Sequence, residues 1–238
     1  MTKKAEIVVE AARSQIGSPY CFGAWGEECT PANRRKRARD DHPTIVSKCQ
    51  VLNGTRSTCE GCRWRGCRMF DCRGFTHWSL EQAGISIDGG GATSQYNNDA
   101  NWIVKGPIGE MPRDIVCCVF VRKDNKMSHT GLYCGDGKTV ECSNGVEEHS
   151  LASKWTHYAV PKGLDQEIRP PEKLSGECVV DVPNDGTLNV RKEPRGNAKI
   201  MRTLREGDKV DVVEDDGTWS RIRIDAYVMS RFLRKGGE

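Results

Sequence analysis

Apolar positions change their rhythm along the chain. Near the N-terminus Ala5, Val8, Val9, Ala12 and Ile16 recur at intervals of three and four, which predicts an amphipathic helix over 5–16, stopped by Gly17 and Pro19. A second helical stretch covers 71–83. Phe75, Trp78 and Gln82 share one face, Leu80 and Ala83 lie near its edge, Asp71 is the expected N-cap, and Gly84 ends it. From residue 114 the pattern becomes one of strands. IVCCVFVR (115–122), SHTGLYC (128–134) and KTVECS (138–143) are joined by turns at 123–126 and at Gly135–Gly137, and WTHYAV (155–160) adds one more strand. Helices followed by an antiparallel meander predict an α+β domain.

The polar stretch 162–177, with Pro170-Pro171, reads as a linker. Beyond it, TLNVRKEP (187–194), the run from Lys199 to Ile224 and AYVMSRFL (226–233) form short strands separated by Gly and Asp turns. They predict a β-barrel of about 60 residues. The expected layout is an α+β domain over 1–165, a linker over 166–176 and a small barrel over 177–235. Residues 26–70 fit no regular pattern, and so long a stretch inside a compact domain needs its own explanation.

Composition narrows the function classes. With 238 residues, 37% hydrophobic and 29% charged, the chain is long enough for two ordinary domains and too apolar for wholesale disorder. No run approaches 18 apolar residues, so no membrane-spanning helix is expected. The first residues are basic but lack an apolar core, so no secretory signal is expected. The net charge of +3 is too close to balance for a nucleic-acid binder. The positive charge gathers in 27–71, which holds ten Lys/Arg against six Asp/Glu.

The chain has twelve cysteines, and all but Cys178 precede residue 175. Without a secretory signal, reduced thiols, a metal site or catalysis are expected before disulfides. Cys72 falls in the first turn of the second helix, where free N–H groups favour a thiolate. His129 lies in a downstream strand as a candidate base. If Gly135–Gly137 is a three-residue hairpin loop, residue 129 lies opposite 143, and Glu141 becomes its diagonal neighbour on the same face. A slip of one residue would put Cys142 there instead. Taken singly, Cys72 reads as a buried or structural cysteine and His129 as a satisfied strand histidine. Together with Glu141 they form a nucleophile, base and orienting carboxylate.

Four stretches, in order, carry a family resemblance: IGSPYCFGAWG (16–26), FDCRGFTHWSLEQAGI (70–85), PRDIVCCVF (112–120) and SHTGLYCGDGKTVEC (128–142). They resemble the NlpC family of cell-wall cysteine peptidases, which have a papain-like α+β fold. The resemblance implies Cys72 as nucleophile, His129 as base and Glu141 as the third polar residue. It implies oxyanion or substrate-binding neighbours at Tyr20, Asp71, Arg73 and Ser128, with Tyr20 equally readable as a packed aromatic. Arg73 replaces the family's usual serine, Arg113 replaces a turn glycine, and an insert occupies 27–69. The C-terminal stretch resembles bacterial SH3-like domains, with Ala226 in place of the usual glycine before Tyr227. Trp219 and Tyr227 are readable as groove or as core, core being favoured for Trp219.

Within the insert, Cys59-x2-Cys62 is a chelating pair. Cys67, with Cys49 or Cys29, completes a structural zinc site, the favoured set being Cys49, Cys59, Cys62 and Cys67. His42 is a weaker ligand, and disulfides or free thiols are the competing readings. The run Arg34–Arg37 reads as a solvated helix face or as attraction to an anionic wall rather than a nucleic-acid patch. No cofactor is expected for catalysis.

The resemblance implies a monomeric peptidoglycan hydrolase that cuts a stem-peptide amide, between D-γ-glutamate and the diamino acid. It would be made in the cytoplasm and reach the wall after phage-type release, with no membrane or nucleic-acid partner. The rivals are a non-catalytic wall-binding or phage or mobile-element assembly protein, and an amidase or acyltransferase on the same scaffold.

Overall fold

The computed structural model describes residues 1–37, 49–168, 174–182, 186–215, 219–223 and 226–235. His42 and Pro170-Pro171 lie outside the described residues. The chain divides into two compact units, one of Met1–Gly106 with Arg113–Ile168, the other of Pro107–Pro112 with Arg169–Glu238.

In the larger unit, helix α1 (Lys3–Ser14) buries Ala5, Val8, Val9 and Ala12 on one face. Thr2 caps it by accepting from the Ala5 N–H, and its hydroxyl donates to the Leu164 carbonyl at 2.7 Å. Strands β1 (Trp25–Glu28) and β2 (Arg68–Phe70) form an antiparallel ribbon pairing Trp25 with Phe70 and Glu28 with Arg68. Between them lies helix α2 (Pro31–Arg37). Helix α3 (Cys72–Glu81) and the short α4 (Ala92–Asn97) follow.

Six strands then form one sheet in the order β3-β8-β4-β5-β6-β7. They are β3 (Trp102–Pro107), β4 (Cys117–Lys123), β5 (Lys126–Tyr133), β6 (Lys138–Cys142), β7 (Val146–Ser150) and β8 (His157–Pro161). Asp124 and Asn125 both have positive φ, 49° and 62°, which is the two-residue turn that suits the twist of a hairpin. Helix α3 packs against β5, and Phe70, Phe75, Leu80, Phe120, Leu132 and Val140 meet in the core.

The stretch 26–70 therefore contains regular structure that the sequence pattern misses: β1, α2 and β2. Arg34 departs from the solvated reading of its basic run. It is 1% exposed, while Arg35 and Lys36 stay at the surface.

The smaller unit is an antiparallel sheet of seven strands, ordered β11-β10-β14-β13-β12-β9-β15. These are β9 (Gly176–Val180), β10 (Thr187–Arg191), β11 (Ile200–Arg205), β12 (Lys209–Asp215), β13 (Trp219–Ile222), β14 (Ala226–Met229) and β15 (Leu233–Lys235). Alternate residues Leu188, Val190, Val210, Val212 and Val228 fill its core together with Cys178. Trp219 and Tyr227 are half-buried and stand outside that core, against the core reading of Trp219.

Candidate active site

Cys72 opens helix α3 directly after the ribbon strand β2. Asp71 is the N-cap. One carboxylate oxygen accepts from the Gly74 N–H at 2.6 Å and the other from the Gly23 N–H at 2.9 Å. The Asp71 N–H donates to the Ala24 carbonyl at 3.0 Å. A Cβ on Gly74 would stand 2.0 Å from that carbonyl oxygen, so only glycine lets the helix start press this close to residues 24 and 25. Burial raises the Asp71 carboxyl above its ordinary value, while the N–H groups of Gly74 and Gly23 pull it back.

Burial pushes the Cys72 thiol up to about 11, and the charge of Asp71 adds to the rise. Backbone N–H groups of Thr130 and Arg73 act in the opposite direction. Thr130 directly follows His129 on β5, so strand and helix bring the two candidate residues to one locality.

His129 Nε2 lies 2.5 Å from Glu141 Oε2. The register that sets this contact pairs Gly131 with Glu141 and Tyr133 with Thr139, making Gly135–Gly137 a three-residue loop and Glu141 the diagonal neighbour of His129. Glu141 is 1% exposed and receives a second donor, Lys154 Nζ, at 2.5 Å on Oε1. Burial tends to raise its carboxyl, but the bonds from His129 and Lys154 outweigh that and hold it below the usual carboxylate range. Trp155 stacks on the imidazole with ring centroids 5.5 Å apart and an interplanar angle of 17°. With Nε2 committed to Glu141, Nδ1 is the nitrogen left for a proton from the thiol.

The other predicted neighbours fall in different places. Tyr20 bridges to Phe70 and is half-buried. Burial, followed by the charges of Cys72 and Asp71, raises its phenol. Arg73 is 6% exposed, and its guanidinium sits 3.6 Å from the Trp25 ring centroid. Asp71 is occupied by the two cap bonds. Ser128 is exposed and donates to the Val121 carbonyl at 3.2 Å, as expected for a strand neighbour of His129 on the opposite face. Sequence reasoning missed Lys154, Trp155 and Gly23. Gly23 lies within the 16–26 stretch but has no side chain to mark a role, whereas Lys154 and Trp155 lie outside the four stretches and reach the site only through the folded chain.

In the Cys-rich stretch, Cys59 and Cys62 share one turn, and the Cys67 sulfur faces the Arg63 carbonyl at 3.8 Å. All twelve cysteines are free. Among the described residues, no three Cys, His, Asp or Glu side chains converge as a metal site.

Residues 54–162 match the NlpC/P60 family, and residues 186–234 match the bacterial SH3 domain. The first match falls almost wholly within the larger unit and the second within the smaller one. The NlpC/P60 match takes in Asp71, Cys72, Arg73, Ser128, His129 and Glu141 and leaves out Tyr20. A probable endopeptidase p60 from Listeria grayi is 33% identical over 101 residues, which are 42% of this chain and 18% of that protein. The chain thus spans less than a fifth of that curated relative. Among solved structures, the peptidoglycan hydrolase RipB of Mycobacterium tuberculosis is 19% identical, with 67% of this chain and 66% of that one covered and a TM-score of 0.42. RipD of the same organism, described as a non-catalytic NlpC/p60 domain protein adapted to peptidoglycan binding, is 17% identical. There 68% and 99% of the two chains are covered, with a TM-score of 0.42.

Proposed function

We propose that this chain is a peptidoglycan hydrolase that cleaves an amide of the stem peptide, between D-γ-glutamate and the diamino acid, through a cysteine acyl-enzyme. The observation that carries the reading is the His129–Glu141 bond at 2.5 Å, on a strand whose next residue, Thr130, brings a backbone N–H that lowers the Cys72 thiol against its burial. His129 Nδ1 takes the thiol proton as Sγ attacks the carbonyl carbon. The oxyanion is met by the Cys72 N–H at the helix start and by the Tyr20 hydroxyl. His129 then hands the proton to the leaving amine, and water, deprotonated by the same nitrogen, releases the acyl group. Glu141, kept ionised by its bonds from His129 and Lys154, orients the ring and stabilises the imidazolium.

The SH3 unit, a small barrel in this reading, holds the enzyme at the wall and raises the local substrate concentration. The half-buried Trp219 and Tyr227 are its candidate ligand contacts.

A second reading, wall binding without cleavage, draws on one observation. Burial holds the Cys72 thiol at about 11, which leaves little thiolate at neutral pH without help from His129. Mass spectrometry of defined muropeptides decides between the two. Under the hydrolase reading the intact enzyme gives a new amine and a new carboxyl terminus at the γ-glutamyl bond, and Cys72→Ala gives neither. Folded protein that retains muropeptides uncut supports the binding reading.

A further inference from the structure

Cys29, Cys49, Cys59 and Cys62 line a single cavity of about 400 Å³ beside helix α2, with Arg34 and Trp64. Cys67, the fourth member of the quartet favoured by spacing, is not on that wall. The Cys62 N–H donates to the Cys59 carbonyl at 3.1 Å, and Gly61 between them adopts φ 67°, so the pair forms a tight chelating turn. Cys29 and Cys49 are each 8% exposed.

Arg34 is the second, independent sign. It is 1% exposed, its Nε donates to the Cys29 sulfur at 3.2 Å, and its guanidinium lies 5.5 Å from the Trp64 ring centroid. Among the described residues, neither of its buried Nη atoms has a hydrogen-bond partner, and no carboxylate lines the cavity. A guanidinium taken out of water without a counter-charge is costly, and the thiols that line the cavity are the nearest described groups able to offset it. Neutral thiols do not supply that counter-charge; metal-bound thiolates do.

We propose that Cys29, Cys49, Cys59 and Cys62 bind one structural Zn²⁺, with Arg34 donating to the Cys29 thiolate. Four S–H protons pass to the solvent, four Zn–S bonds form, and no group changes oxidation state. The resulting centre carries a net charge of −2, which the buried guanidinium partly offsets. The four thiols ring the cavity without converging on one point, so the proposal requires them to close on the ion as it binds. The ligand set exchanges Cys67 for Cys29, and it stands independently of the hydrolase reading.

The test uses the full chain, purified after growth in zinc-supplemented medium. Elemental analysis is expected to give about one zinc per chain. Pulsed alkylation before and after chelator treatment, mapped by mass spectrometry, is expected to expose these four thiols on zinc removal while Cys67 reacts equally in both states. Cys67→Ser keeps its zinc and Cys59→Ser loses it; the alkylation map decides if Cys59→Ser fails to fold. A chain that takes up no zinc even after metal addition overturns the proposal. So does protection of Cys67 in place of Cys29.

Discussion

Glu141 stands directly opposite Gly131 in the β5–β6 hairpin, and this pairing delivers its carboxylate to His129. A Cβ at position 131 would lie 2.9 Å from the Trp155 ring and 3.1 Å from the Glu141 Cβ. Gly131 therefore keeps open the space in which carboxylate, imidazole and indole pack together. Gly131→Ala is expected to cost about 1–3 kcal/mol of stability by overpacking. Because the displaced groups are the ones that hold His129, muropeptide turnover should fall more than tenfold at a temperature where the variant is fully folded. Chemical denaturation and a turnover assay on the same preparation check both parts, and unchanged turnover would count against the hairpin as the site's frame.

Glu141 and Lys154 separate orientation from surface charge. Glu141→Ala is expected to lower kcat/KM by about 10²–10⁴-fold, the range for removing a group that orients a catalytic base. Lys154 is 44% exposed at its side chain and serves only the far oxygen, so Lys154→Met should cost no more than about fivefold. Equal losses in the two variants would show that the ion pair, not the orientation of the ring, sets the rate.

The same carboxylate gives a pH signature in stability. Glu141 has a folded value below its ordinary 4.5, so the unfolded chain binds its proton first on acidification. Its contribution is fully present above pH 4.5 and is lost as pH falls through the folded value. Unfolding midpoints measured from pH 6 downward should decline more steeply for the wild type than for Glu141→Gln. Parallel curves would mean that the His129 and Lys154 bonds do not stabilise the folded state.

Cys72 carries a prediction of opposite sign. A thiol raised from 9.0 to about 11 is protonated in the free protein at neutral pH. Alkylation of Cys72 by iodoacetamide, followed by mass spectrometry, should keep accelerating above pH 9 with a midpoint near 11. A plateau already reached near pH 7 would reveal a standing thiolate–imidazolium pair and replace the base-assisted attack described above.

Elements with a strong repeat were readable from the chain. The α1 face of Ala5, Val8, Val9 and Ala12 was legible, as were α3 with its Asp71 cap and the β4–β5–β6 meander, because each is set by local periodicity and turn chemistry. Strand β7, reading VEEHS, was not, because four of its five residues are polar and it lies at the sheet edge. Nor were β1 and β2, whose pairing spans more than forty residues and leaves no local trace. The Cys72–His129–Glu141 constellation could be assembled from one register assumption about Gly135–Gly137. Lys154 and Trp155 could not, since nothing in the local pattern tells where the loop after β7 turns. Arg34 was hidden by its neighbours: in a run of four basic residues, only the helix geometry shows which one turns inward.

The grip of residues 23 and 24 on the helix start has a practical consequence for dissecting this chain. The family match begins at residue 54, yet one oxygen of Asp71 is held by Gly23, and the helix start is packed against Ala24. A chimera builder who trims the donor to the matched span would carry over every expected catalytic side chain and discard the clamp that seats the first of them. Transplanted modules should therefore be cut ahead of Thr2, and a fragment starting at 54 is expected to lose any activity of the full unit for want of its own leading edge.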